Sequence, residues 1–150
     1  MQQILEKIPI FKGLSEAELD FLTQLCDERS YKRGDMIFTE RKRGDEIYVL
    51  IKGRVRIELG IASKTDHATI HRVQKGEIFG ELAIVDEGGR SASAECETDC
   101  EVIAIGRDAL RSLFEENSRI GYVVMTNLAS VLAARLRKTN LQLVACFLWE

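Results

Sequence analysis

Between residues 78 and 94 the chain gathers the side chains best suited to chemistry. The stretch reads Ile78-Phe79-Gly80-Glu81-Leu82-Ala83-Ile84-Val85, then Asp86-Glu87-Gly88-Gly89, then Arg90-Ser91-Ala92-Ser93-Ala94. Arg90 offers a permanently charged, forked donor that matches a phosphate. Gly80, Gly88 and Gly89 let the backbone come close to a ligand, and a short turn beginning near Leu82 would aim N–H groups at an anion. One carboxylate beside a phosphate is electrostatically costly unless it has another task. Accepting a hydrogen bond from a ribose hydroxyl is such a task for Glu81. The set reads as an anion pocket with one carboxylate, shaped for a sugar phosphate. The same residue types would also suit a surface hairpin closed by an ordinary Glu–Arg pair, because short motifs have many accidental matches.

The remaining candidates for chemistry are weaker. His67 and His71 are the only histidines and lie four apart in an alternating, strand-like segment. A metal-binding enzyme of the cupin type needs a richer histidine cluster. Cys96 and Cys100 are four apart across an expected turn, and with Cys26 and Cys146 they match neither a zinc motif nor a compact disulfide framework. Reduced cytosolic thiols are the reading that remains. Arg41-Lys42-Arg43 is a basic run between strands, expected as a solvated loop. Met125 and the three tyrosines read as packing.

The elements that must position these residues follow from periodicity. Residues 2–7 read as a short helix ended by Pro9. Ser15 with Glu18 three residues on forms a capping box, and the helix it opens presents Leu19, Phe21, Leu22 and Leu25 to a core. After Ser30 short apolar runs alternate with Gly-Asp or lone Gly turns: Gly34-Asp35, Gly44-Asp45, Gly53 and Gly76. Short strands at such spacing read as an antiparallel sandwich or barrel. From Arg107 the helical period returns, first over 108–114 and then over 118–143. Leu128, Leu132, Leu136 and Leu143 form an apolar row that includes one polar member, Thr139. A helix threonine bonded back to its own backbone would explain that residue equally well.

The totals bound the function. At 150 residues one domain is expected, with 45% apolar and 30% charged residues able to build a soluble core. A net charge of −3 argues against a general nucleic-acid surface. No signal-peptide core opens the chain, and no apolar run approaches the roughly 20 residues of a membrane span. A cytoplasmic location is expected. The apolar end, Cys146-Phe147-Leu148-Trp149, suggests docking or a chain that continues.

Gly80-Glu81-Leu82-Ala83 followed by Arg90-Ser91-Ala92 resembles the phosphate-binding cassette of the cyclic nucleotide-binding domain family. The resemblance extends to the entry segment Ile8-Pro9-Ile10-Phe11-Lys12-Gly13-Leu14-Ser15, to the glycine turns at 34, 44 and 53, and to Thr98-Asp99-Cys100-Glu101-Val102. Within the family, Arg135-Leu136-Arg137-Lys138-Thr139-Asn140 looks like the dimerisation helix of catabolite activator relatives. The resemblance implies a mainly β fold with flanking helices: N-terminal helices over 1–30, an eight-stranded antiparallel jelly-roll barrel over 31–106 with the cassette at 79–92, and C-terminal helices over 107–150.

It also implies roles. Glu81 holds the ribose 2′-hydroxyl; Arg90 pairs with the exocyclic phosphate oxygens; Ser91 and Ala92 complete the cradle; Phe79, Gly80, Leu82 and Ala83 frame it. Thr139 touches the base, and Asn140 stands where relatives carry the serine contributed by the second protomer. Serine at 91 favours cAMP, with cGMP as the alternative. The expected function is a regulatory sensor without enzymatic chemistry and without a metal, a homodimer through helix 118–143, binding neither membrane nor nucleic acid itself. Two alternatives stand beside it: the sensor half of a cAMP-dependent transcription regulator, and a dimerisation module that has lost its ligand.

Overall fold

The computed structural model describes residues 1–40, 43–60, 67–85, 89–90 and 92–148. Several expectations fall on residues outside that set: Ser91, the acidic stretch 86–88, Arg41 and Lys42, the side chain of His67, and Trp149.

Among the described residues eight strands form two antiparallel four-stranded sheets. In chain order they are β1 (Cys26–Tyr31), β2 (Met36–Phe38), β3 (Glu46–Lys52), β4 (Val55–Gly60), β5 (His67–Val73), β6 (Ile78–Phe79), β7 (Ser93–Cys96) and β8 (Cys100–Gly106). One sheet runs β1-β8-β3-β6 and the other β2-β7-β4-β5. Five helices flank them: α1 (Gln2–Leu5), α2 (Glu16–Thr23), α3 (Leu82–Val85), α4 (Arg107–Glu116) and α5 (Ser118–Leu148). This is the mainly β, helix-flanked, eight-stranded architecture expected.

The two central strands explain the layering. β3 reads Glu-Ile-Tyr-Val-Leu-Ile-Lys, a nearly continuous apolar run, which suits a strand covered on both faces. Ile47 and Val49 join the core shared with the helices, among Leu5, Phe11, Leu22, Leu110, Ile120 and Leu128. Tyr48 and Leu50 turn the other way, into the sandwich interior with Val55, Val73, Phe79 and Ala94. β8 divides in the same way, Ile103 and Ile105 to the helices and Val102 and Ala104 to the sandwich.

Several elements differ from expectation. β1 begins at Cys26, inside the segment expected to be helical. Its sequence Cys-Asp-Glu-Arg-Ser-Tyr has no apolar alternation, because it is an edge strand paired only with β8, in register from Cys26↔Ile105 to Tyr31↔Cys100. α2 keeps its capping box: Ser15 Oγ accepts from the Glu18 N–H at 3.2 Å, and Glu18 Oε1 accepts from the Ser15 N–H at 2.8 Å. It buries Leu19 and Leu22, but Phe21 is 45% exposed, since it lies off their helical face. Pro9 does not end a helix; it opens a 3-10 turn, Pro9–Phe11, where its missing N–H costs nothing. α5 continues five residues past the expected end at 143, to Leu148.

α5 is packed unevenly. Ile120, Gly121, Val124 and Leu128 are buried, and Asn127 Nδ2 donates to the carbonyls of Ile10 and Lys12 at 3.0 and 2.8 Å. Beyond residue 135 the helix is exposed along its length, including Leu136, Leu141, Leu143, Val144, Phe147 and Leu148.

Candidate functional site

Arg90 is fixed by the ends of three strands. Its Nη1 donates to the Gly80 carbonyl at 3.0 Å and its Nη2 to the Glu46 carbonyl at 2.7 Å. The guanidinium lies 4.3 Å from the Phe38 ring centroid and 5.7 Å from that of Tyr48, and Phe79 stacks on Tyr48 at 5.3 Å to close the aromatic wall. Arg90 is only 8% exposed. No carboxylate among the described residues lies within ion-pair distance of it, and its Nε is buried without a hydrogen-bond partner. Burial holds its guanidinium below the ordinary value. A buried cation satisfied only by carbonyls and π faces is costly alone and becomes favourable when an anion joins it.

Two glycines make this seat possible. Gly80 adopts φ +71°, and a Cβ there would lie 2.8 Å from Arg90 Nη1. A Cβ at Gly44 would fall inside the van der Waals envelope of Arg90 Nε and Cζ and 2.7 Å from its Cδ. Gly44 was legible as a turn residue but not as part of the site.

Glu81 is also only 8% exposed. Its Oε1 accepts from Nη1 of Arg135 on α5, while Arg135 Nη2 donates to the Ile78 carbonyl at 3.1 Å. The carboxylate expected to face a sugar hydroxyl therefore already carries an ion pair to the long helix. The turn after it uses its own donors: the N–H groups of Ala83 and Ile84 bond back to the carbonyls of Gly80 and Glu81 at 3.3 and 3.1 Å. Those two amides are thus spent within the turn and not aimed at an anion.

These groups border a cavity of about 700 Å³, within the range of small-molecule sites. Phe79, Gly80, Glu81, Leu82, Ala83, Arg90, Ala92 and Thr139 all line it. Thr139 is bonded back to its own helix, its Oγ1 donating to the Arg135 carbonyl at 2.9 Å, and still faces the cavity. Asn140 does not line it, being rotated about 100° around the helix from Thr139. Residues not foreseen include Arg135, Lys138 and Gln142 of α5 and the apolar Ile57, Leu59 and Ile70 of β4 and β5. Helical spacing of four and three from Thr139 would have found Arg135 and Gln142. Chemically, the cavity offers a buried forked cation, a carboxylate beside it, and an apolar wall facing a polar helix. Such a set suits a phosphate, a hydroxylated ring and a flat base.

Cys26, Cys96, Cys100 and Cys146 are all free; burial pushes the Cys96 thiol up to about 12 and that of Cys26 to about 11. Among the described residues no cluster of three metal-ligating side chains occurs, and no described helix is long and apolar enough to cross a membrane.

Comparison with known proteins gives the same picture. The chain is 33% identical over 141 residues to the CRP-like cAMP-activated global transcriptional regulator of Mycobacterium tuberculosis, covering 93% of this chain and 60% of that protein. The Thermus thermophilus catabolite activator protein superposes with a TM-score of 0.78 at 35% identity, over 90% of this chain and 61% of that one. A cyclic nucleotide-binding domain from Methylobacillus flagellatus superposes with a TM-score of 0.83 at 27% identity, over 95% and 80% of the two chains. The chain thus spans about three fifths of the length of the two regulators. Residues 28–117, from β1 through α4, match the cyclic nucleotide-binding domain description, and the chain belongs to that family.

Proposed function

We propose that this chain binds cAMP as a regulatory sensor, doing no chemistry on it, and passes the event to α5. The observation that carries the reading is Arg90: a buried guanidinium with an unpartnered Nε, no carboxylate in reach among the described residues, and the buried Glu81 in the same cavity. A cyclic phosphate supplies the missing anion to Arg90, and the ribose hydroxyl donates to Glu81. Ser91, outside the described residues, and Ala92 are assigned to the phosphate cradle, with Phe79, Gly80, Leu82 and Ala83 around it.

Because Glu81 is held by Arg135, a sugar hydroxyl on Glu81 competes with α5 for the same carboxylate. Capture then biases where the helix lies, and only to the extent that the ligand's affinity differs between the two helix positions. Two copies pair along the exposed apolar row of α5, with Asn140 left to the second copy's ligand. The chain is assigned to the cytoplasm. The Mycobacterium tuberculosis and Thermus thermophilus proteins are longer regulators, which favours a second reading in which this domain is the sensor part of a transcription regulator.

The test is calorimetric titration of ligand-stripped protein with cAMP and with cGMP, repeated on Arg90→Ala. Removing the buried partner of a phosphate costs about 2–5 kcal/mol. Saturable binding at one site per chain, lost in the variant, supports the reading. Preference for cGMP removes the cAMP assignment, and absence of binding to either leaves a scaffold that keeps only the shape of a sensor.

A further inference from the structure

Besides Arg135, three polar side chains of α5 line the cavity: Lys138, Thr139 and Gln142. They lie three, four and seven residues beyond Arg135 and so share its face of the helix. Arg135 is tied to Glu81 and to the Ile78 carbonyl, which marks the sugar end of the site. Counting from it, the helical rise places Thr139 about 6 Å and Gln142 about 10 Å farther along the axis. The β4 and β5 lining is largely apolar, with Ile57, Leu59 and Ile70; its polar members are Thr69, a single hydroxyl, and His71, whose Nε2 is held by Glu77 at 2.9 Å. Neither offers a donor and an acceptor side by side, so paired hydrogen-bond reading of a base falls to α5.

The two candidates there have different capacities. Thr139 spends its hydroxyl proton on the Arg135 carbonyl at 2.9 Å, so toward the cavity it can only accept. Gln142 makes no hydrogen bond within the described residues, and its carboxamide can donate and accept side by side. Adenine presents an amino donor beside a ring-nitrogen acceptor, which a glutamine amide matches with two bonds. Guanine places a keto oxygen where adenine has the amino group, next to a second acceptor on its N7 edge. That edge satisfies the amide once and turns a lone pair toward Thr139. Lys138, a pure donor, is the group guanine would favour.

We propose that Gln142 reads the purine and, with the accept-only hydroxyl of Thr139, sets a preference for adenine over guanine. The proposal rests on the cyclic nucleotide reading of this cavity and deepens it. The experiment is titration of the full chain with cAMP, cGMP and cyclic inosine monophosphate, for the wild type, Gln142→Ala, Gln142→Glu and Arg90→Ala. Wild type should prefer cAMP to both 6-keto ligands. Gln142→Ala should weaken cAMP on the order of tenfold while moving cGMP by no more than about twofold. Gln142→Glu, which keeps an acceptor but loses the donor, should fall between.

An unchanged cAMP-to-cGMP ratio in Gln142→Ala, or equal loss of both ligands, overturns the assignment. So does a wild type that prefers cGMP. If wild type binds through Arg90 and Gln142→Ala behaves like wild type, only this inference falls. If wild type binds neither nucleotide, the proposed function falls and takes this inference with it. Gln142 is on an exposed helical face, where alanine is the best helix former, so an unchanged melting temperature should accompany the altered ratio.

Discussion

Replacing Gly44 by alanine isolates the seat of Arg90 from everything else. Gly44 does not have the positive φ that strains a side chain, unlike Gly80 at +71°. The three atoms nearest the added methyl all belong to the Arg90 side chain, Nε, Cζ and Cδ. To relieve the overlap the guanidinium must leave its present place, and with it the bonds to the Gly80 and Glu46 carbonyls at 3.0 and 2.7 Å. The charge stays on the chain but no longer points where the proposed phosphate would sit. One displaced charge-assisted hydrogen bond is worth about 1.5–3 kcal/mol. The expected loss of cAMP affinity is thus about ten- to hundredfold, less than that of Arg90→Ala. The assay is calorimetry on wild type, each single variant and the double variant. In the Arg90→Ala background the glycine has nothing left to protect, so Gly44→Ala should then change stability by less than about 0.5 kcal/mol, as for a surface substitution. Wild-type affinity in Gly44→Ala would refute the reasoning. A stability loss of similar size in both backgrounds would refute it too, by showing that the glycine serves the backbone instead.

Three further outcomes are expected. Gly53→Ala should lower the melting temperature by about 5–15 °C, because φ is +96° and the new Cβ would overlap the Asp99 carbonyl and lie 2.7 Å from Thr98 Oγ1; thermal denaturation checks it. The Arg72 hydrogen bond holds the Glu97 carboxyl below its ordinary 4.5, and the Ser15 N–H does the same for Glu18. The unfolded chain therefore takes up these protons first, so their stabilisation is present above about pH 4.5 and is lost as pH falls through the lower folded values. Glu97→Gln should flatten the acid limb of a melting-temperature profile against pH. Leu136→Glu with Leu143→Glu should convert a dimer into a monomer in sedimentation equilibrium with little change in melting temperature, since both leucines are more than half exposed in the single chain; a variant that stays dimeric rules out pairing along this row.

What could be read from sequence follows from where each signal lies along the chain. Gly80, Glu81 and Arg90 sit within eleven residues, so their chemistry was visible as one stretch, and they border one cavity. The apolar runs of β3 and β8 announced strands, which the structure covers on both faces. β1 was missed because its polar sequence is held by pairing to β8, and Arg29 by both Glu46 oxygens at 2.9 and 2.6 Å, none of which leaves a local pattern. Of the α5 residues that line the cavity, only Thr139 was named as a site residue from the sequence. Which other positions share its cavity depends on the rotation of a helix 54 residues away from Glu81 along the chain, and that is set by packing of Ile120, Val124 and Leu128.

The uneven packing of α5 gives the molecule a mechanical ratio. Leu128 is the last fully buried residue of the helix, Arg135 lies seven residues beyond it, and Leu148 twenty. With Leu128 as fulcrum, a sideways shift at Arg135 is multiplied about threefold at the far end, some 30 Å from the pivot. Under the proposed coupling, a sub-ångström adjustment of the Glu81–Arg135 pair would become a displacement of an ångström or more at Phe147 and Leu148. A rod clamped at one end and touched near the clamp amplifies small motions with no hinge along its length.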